Sequence, residues 1–195
     1  MQSRENIEGR LIRAFKELVL SEPVEKITIK EITDKAGLIR TTFYHHYQDK
    51  YDLMEQIVRM EIVDPIGSLL ENDMIDEAIV LIFSNLLREK EFYMKLAKTS
   101  GQNSFEQISE KCVADILLKI VGGKLQAGLS VNEFKHKWVS PEMVAGYYSK
   151  TIVFAVMFWI DKGMPYSPKE MAEIYDYIFS HSLQDVVDEL MANTL

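Results

Sequence analysis

The stretch TIKEITDKAGLIRTTFYHHYQDK, Thr28 to Lys50, decides the fold. Thr28 stands three residues before Glu31. At that spacing a hydroxyl and a carboxylate each accept a backbone N–H that the first turn of a helix leaves unpaired. Ile29, Ile32 and Ala36 share one face of the helix so opened. Gly37 closes it, because glycine takes the left-handed backbone that ends a helix. Gly37-Leu38-Ile39 is then a three-residue turn, and Arg40 to Tyr47 a second short helix with Phe43 and Tyr47 one turn apart. Two short helices joined by a glycine-bearing turn make a helix-turn-helix. No acidic residue lies between Asp34 and Asp49, although the chain carries a net charge of -8. In such a unit the second helix enters the DNA major groove, with its N-terminal residues on the base edges. Phosphates line that groove and repel carboxylates, so the acid-free window reads as a surface for a polyanion.

Outward from this segment almost everything reads as helix, and the expected class is all-α. Ile7, Leu11, Ile12, Phe15, Leu18 and Val19 form the stripe of an amphipathic helix, which Pro23 ends by lacking an N–H. Asp49 caps the next helix, expected to stop near Asp64-Pro65. Ser104 with Gln107, Ser130 with Glu133 and Ser167 with Glu170 repeat the capping spacing. Pro141 and Pro168 stand at first helical positions, where a missing N–H costs nothing. These signals place about nine helices near 4–20, 28–36, 40–47, 49–63, 74–88, 89–97, 105–121, 141–162 and 168–191. Gly122 to Val139 stays unassigned.

Composition bounds the function. With 47% apolar and 27% charged residues in 195, the chain has ample material for a core. Its one cysteine, Cys112, excludes an internal disulfide framework, fits a reducing compartment, and reads as a buried inert thiol. MQSRENIEGR at the N-terminus lacks the apolar segment of a signal peptide. TIVFAVMFWI, Thr151 to Ile160, is too short to span a bilayer. A cytoplasmic protein without a membrane partner is the expectation. Residues 1–50 are close to neutral, a net of +1, while residues 51–195 carry -9. His45 and His46 point about 100° apart on a helix and cannot readily share an ion. His136 and His181 are isolated, so neither a metal nor another cofactor is expected. A phosphate loop, a serine elbow and a zinc-protease motif are all missing, and Glu89 and Glu91 sit in solvated charge runs. The chain does not read as an enzyme.

The run from Thr28 to Met54 resembles the N-terminal signature of the TetR/AcrR family of bacterial transcription regulators. Thr28, Ile32, Ala36-Gly37, Thr42-Phe43-Tyr44, His46, Tyr47, Lys50 and Leu53 carry the likeness. The resemblance implies a DNA-binding head, residues 1–48, on a helical regulatory and dimerisation body, residues 49–195. Thr28, Arg40, Thr41, Thr42, Tyr44, His45 and Lys50 fall at the positions that contact DNA. Arg40 has the donors for guanine, Thr41 and Thr42 suit either a donor or a methyl, and Tyr44, His45 and Lys50 suit phosphate oxygens. The first turn of the Thr28 helix can add backbone N–H groups. Phe43, His46 and Tyr47 fall where side chains pack the head. One departure stands out: Ile39 replaces the small hydroxyl residue usual before the recognition helix. Either Arg40 or Thr41 shifts the helix start by a residue, or Ile39 packs on DNA methyls or on neighbouring side chains. A tyrosine at 47 needs a partner for its hydroxyl or an opening to water.

The resemblance also implies an unknown small-molecule effector in the body and a homodimer through the last two helices, acting on a palindromic double-stranded operator, with repression the commoner outcome. Aromatic residues point to Phe83, Phe92, Tyr93, Phe105, Tyr147, Tyr148, Thr151 and Phe158 as pocket candidates. A wide apolar stripe marks Ile152, Trp159, Met171, Ile174, Tyr175, Ile178 and Phe179 for the dimer interface. The competing reading is a co-regulator that binds a protein partner and little or no DNA.

Overall fold

A computed structural model describes residues 6–126 and 139–192, and all regular secondary structure among them is helical. In chain order the elements are α1 (Ile7–Ser21), α2 (Ile29–Ala36), α3 (Arg40–His46), α4 (Lys50–Val58), a π turn (Arg59–Val63), a 3₁₀ turn (Asp64–Ile66), α5 (Gly67–Glu71), α6 (Ile75–Arg88), α7 (Lys90–Leu96), α8 (Phe105–Gln126), α9 (Pro141–Asp161), α10 (Pro168–Ser180) and α11 (Leu183–Ala192). The expected helix start at Arg4, the Ser130–Glu133 cap and His136 lie outside the described residues.

The caps act where the sequence places them. Asn6 Oδ1 accepts the Gly9 amide at 2.8 Å and opens α1. Thr28 and Glu31 complete a reciprocal capping box. Asp49 accepts from Tyr51 and Asp52 at 2.7 and 2.9 Å, and Ser167 with Glu170 forms a second capping box. Gly37 has φ +63°. Its amide and that of Leu38 return to Asp34 and Thr33 at 3.1 and 2.8 Å. Arg10 of α1 donates to the carbonyls of Ala36 and Gly37, and a Cβ at position 37 would meet its Nη2 at 3.1 Å. Glycine is thus required both by the backbone and by the approach of α1.

Three boundaries differ from expectation, the simplest being α8, which runs on to Gln126, five residues past the expected end. Asp64-Pro65 does not end the fourth helix. The chain widens into the π turn and tightens through the 3₁₀ turn, whose first turn accepts Pro65, before α5 follows. The last expected helix, 168–191, is two. His181 is extended, φ -111° and ψ 147°, and Ser182 opens α11 by exchanging hydrogen bonds with Asp185. Local capping overrides a continuing apolar period.

Leu11, Phe15 and Val19 of α1, Ile32 of α2, Phe43 of α3 and Leu53, Met54 and Ile57 of α4 are buried together in the core. Each such side chain contributes about 1.5–3 kcal/mol. α4 also leads into the body. Arg59 bridges Glu55 and Asp115 of α8 at 2.9 and 2.6 Å. Glu61 of the π turn receives Lys16 of α1 at 2.5 Å, and the same lysine reaches Glu89 at 2.7 Å. Tyr93 of α7 donates to the Glu61 carboxylate at 2.9 Å, and Asn85 of α6 to the Glu61 carbonyl at 2.7 Å. Burial first, then the Glu61 carboxylate, push the Tyr93 phenol far up.

Candidate nucleic-acid interface and ligand cavity

α3 has two unlike faces. Phe43 and Tyr47 turn inward and are buried, while Arg40, Thr41, Tyr44 and His45 are exposed. The exposed four stand at i, i+1, i+4 and i+5, one stripe of a helix. Arg40, Thr41 and His45 have no hydrogen bond or ion pair through their side chains among the described residues. Tyr44 leans edge-on against Phe43 at 5.7 Å and keeps 58% of its surface in solvent. Thr42 is half-buried at the margin of this stripe. No acidic residue occupies the first turn. The surface therefore presents donors, one fixed positive charge and an aromatic hydroxyl, none of them committed internally.

Thr28 and Lys50 are placed differently. The Thr28 amide and hydroxyl both donate to Glu31 Oε2, at 2.8 and 2.7 Å. That pairing holds the Glu31 carboxyl below its usual range, so a phosphate at this helix start has a carboxylate to displace. Lys50 donates to the carbonyls of Glu25 and Ile27 at 2.8 and 2.9 Å, and burial pushes its pKa down. Two of its three donors anchor the turn before α2, leaving one for an outside acceptor. His46 faces Glu8 of α1 at 3.4 Å. Tyr47 is buried, and its hydroxyl finds neither partner nor opening. Burial raises its pKa to about 12.

Ile39 is the N-cap of α3, makes no side-chain cap bond, and is 68% exposed. Most of its side chain therefore stays in solvent, and the helix starts at Arg40 without a shift. Ile39→Ser is expected to raise stability by about 1 kcal/mol through a restored cap. Thermal unfolding checks this. An unchanged midpoint would mean that the first-turn amides already have partners.

In the body, the pocket candidates do not gather. Phe92, Tyr93 and Phe105 meet in series inside the core, the first pair edge-to-face and the second tilted, centroids 5.0 and 5.8 Å apart. Phe92 and Tyr93 are buried because α7 packs on α1, where Lys16 lies 5.2 Å over the Phe92 ring. Tyr147 is 60% exposed. Phe83 and Tyr148 line a cavity of 380 Å³ bounded by α6, α8, α9 and α10, with Ile66 and Leu70 at one end. Most of its wall is aliphatic: Ile79, Ile82, Val113, Leu117 and Val156. A search for aromatics misses these residues. The helical spacing of Val113, Ile116 and Leu117 in α8 is the sequence signal that would have found them.

Thr151 and Phe158 line a different feature, a 340 Å³ groove between α9 and α10 on the outer surface. Phe154, Phe158, Tyr166 and Ile178 along it are each at least half exposed. Of the interface candidates, Trp159, Met171, Ile174, Tyr175, Ile178 and Phe179 line this groove, and Ile152 belongs to the inner cavity. Trp159 and Met171 are buried. The Trp159 ring meets Phe83 at 5.0 Å and its indole N–H donates to the Tyr166 carbonyl at 3.1 Å. Both are buried side chains that form the floor of the groove rather than its exposed rim. α9 is long and apolar enough by composition to cross a membrane. Its apolar residues divide among the core, the inner cavity and the groove, with Met143 and Tyr147 exposed. Among the described residues no three metal-ligating side chains converge.

A family model described as bacterial regulatory proteins, tetR family, matches residues 11–57. Another, described as a transcriptional regulator C-terminal region, matches residues 73–181. No curated protein sequence matches the chain. Among solved structures, the fold is similar to NalD, the secondary repressor of the MexAB-OprM multidrug efflux pump in Pseudomonas aeruginosa, with a TM-score of 0.59, 14% identity, and 88% of this chain and 93% of that chain covered. The dihydroxyacetone kinase operon activator DhaS superposes with a TM-score of 0.52 at 19% identity, over 96% and 95% of the two chains. FadR from Bacillus subtilis, solved with stearoyl-CoA, gives a TM-score of 0.51 at 18% identity, over 84% and 92%.

Proposed function

Because the chain belongs to the TetR family of bacterial regulators, we propose that it is a cytoplasmic, ligand-responsive transcriptional regulator that binds a palindromic operator as a homodimer. Residues 1–48 serve as the DNA-binding head and residues 49–195 as the regulatory and dimerisation body. The observation that carries this reading is the exposed stripe of α3, free of acid and of internal partners. Arg40 reads a guanine edge, Thr41 and Thr42 contact adjacent base edges, and Tyr44 and His45 hold phosphates. Lys50 adds its third donor to the backbone contacts, and Ile39 lies against a thymine methyl.

Two recognition helices reach two half-sites about one DNA turn apart, roughly 34–36 Å. The α9–α10 groove, as the meeting face of two copies, fixes that separation. A ligand in the inner cavity favours a body shape with another separation, and DNA is released. By reciprocity, DNA weakens the ligand by the same factor. An operator that overlaps a promoter makes the protein a repressor, since its occupancy excludes polymerase.

The test is selection of bound duplexes from a random pool, followed by titration at several salt concentrations. Affinity should fall steeply, log K against log salt sloping by about -0.9 for each phosphate neutralised. Arg40→Ala should relax preference at one base at a cost of about 1–3 kcal/mol. Weak binding indifferent to salt would discard the reading in favour of a protein-binding co-regulator.

A further inference from the structure

We infer that the inner cavity takes an uncharged or cationic amphiphile and rejects anionic ones. This rests on the reading of that cavity as the effector site. Its 380 Å³ suits a small organic ligand. Among the described residues Asp76 and Asp176 are the only charged side chains in its lining, and no lysine, arginine or histidine joins them. Neither carboxylate has a hydrogen bond or ion pair among the described residues, and both are exposed where the cavity meets solvent. The aromatic part of the wall is stacked: Tyr175 on Phe179 at 4.2 Å, and Phe179 on Tyr148 at 6.0 Å.

Each feature selects on charge in the same direction. An apolar chain gains by leaving water for the aliphatic wall. A carboxylate or phosphate on that chain would find only neutral donors, the Tyr148 and Tyr175 phenols, beside two like charges and with no positive charge in the described lining to offset its lost hydration. An ammonium would meet two unpaired carboxylates and the faces of aromatic rings, both of which attract it. The Ser180 hydroxyl already donates to the Tyr177 carbonyl at 3.3 Å, so it does not rescue an anion. The chain's overall charge of -8 also attracts cations, so the test must separate the cavity from the general field.

Dodecyltrimethylammonium, dodecanol and dodecanoate share one chain and differ only in the head. Their binding to the full protein is measured below micelle-forming concentrations by calorimetry. The cation should bind tightest, with dodecanoate at least roughly 10-fold weaker. In the Asp76→Asn, Asp176→Asn double variant the cation should fall to the affinity of dodecanol, while dodecanol keeps its own. Dodecanoate binding as tightly as the cation would overturn the inference. A cation preference that survives the double variant would do the same, because it then belongs to the general field. Binding by none of the three would also reject it. If the cation binds with the expected preference and leaves operator affinity unchanged, the ligand class stands and the effector role fails.

Discussion

Ile178→Asp is expected to leave a folded monomer that binds its operator roughly 10²–10⁴-fold more weakly, the range lost when two linked sites become one. Ile178 lies on the α9–α10 groove and is 55% exposed in the single protomer. Around it stand Phe154 and Phe158, stacked 6.2 Å apart, with Tyr166 and Ile174. A contiguous apolar surface of this kind marks a site of association. A two-fold axis presents any substitution twice, so two carboxylates would enter the interface at once, each losing its water without gaining a partner. Within the protomer the same change touches little and shifts stability by about 0.5 kcal/mol or less. Sedimentation at micromolar concentration reads the oligomeric state, and operator titration reads the affinity. Phe154→Asp should act alike from the other helix. Trp159→Ala, by contrast, opens the core and costs about 3–5 kcal/mol. Dimers persisting in both aspartate variants would move the interface elsewhere.

The groove also shows what the sequence could and could not reveal. A stripe of apolar residues in α10 was legible, but not which of its edges faces the core. Met171 and Ile178 carry the same periodic signal, yet Met171 is buried and Ile178 is not. The choice is made by α6, which packs on α10, and no local rule predicts that. In the head nearly every decision is local. Thr28 with Glu31, Gly37 and Asp49 each settle a boundary through bonds that span only a few residues, so pattern reading recovers them. The break at His181 was equally local, since Ser182 and Asp185 have the spacing of a helix start. It was overlooked because the apolar period runs on through it. The π turn at Arg59–Val63 left no such trace, and its partners Lys16, Asn85 and Tyr93 come from three other helices. The aromatic residues of α7 misled for the same reason: their neighbours, not their chemistry, assign them to the core.

That π turn joins α6, which lines the cavity, to α1 of the head, and Lys16→Met should expose the link. Lys16 is a cation shared by Glu61 and Glu89, and the three side chains retain 14%, 21% and 31% of their exposure. Removing it leaves two carboxylates facing each other in a half-buried space. A fully buried pair would cost about 3–5 kcal/mol on such a loss, and partial exposure lowers this to about 2–3 kcal/mol. For a chain of this size the melting midpoint should drop by roughly 4–12 °C. Adding Glu61→Gln and Glu89→Gln should restore most of it, because the unpaired charges are then gone. The restored triple variant isolates coupling from stability. α6 lines the cavity with Ala78, Ile79, Ile82 and Phe83. Beyond these, Asn85 holds the Glu61 carbonyl, and Glu89, the C-cap residue of α6, receives Lys16. A ligand that moves α6 therefore moves two of the groups that position Glu61 and, through Lys16, α1. In the triple variant only the Asn85 bond and the uncharged contacts of Glu61 remain, and Lys16 no longer tethers α1. Ligand should then loosen operator binding by clearly less than in the parent, where coupling of roughly 5–150-fold is the usual range. The measurement is operator affinity with and without saturating ligand in both proteins. A triple variant that folds, binds DNA and responds to ligand as the parent does would show that the signal reaches the head without passing through Lys16.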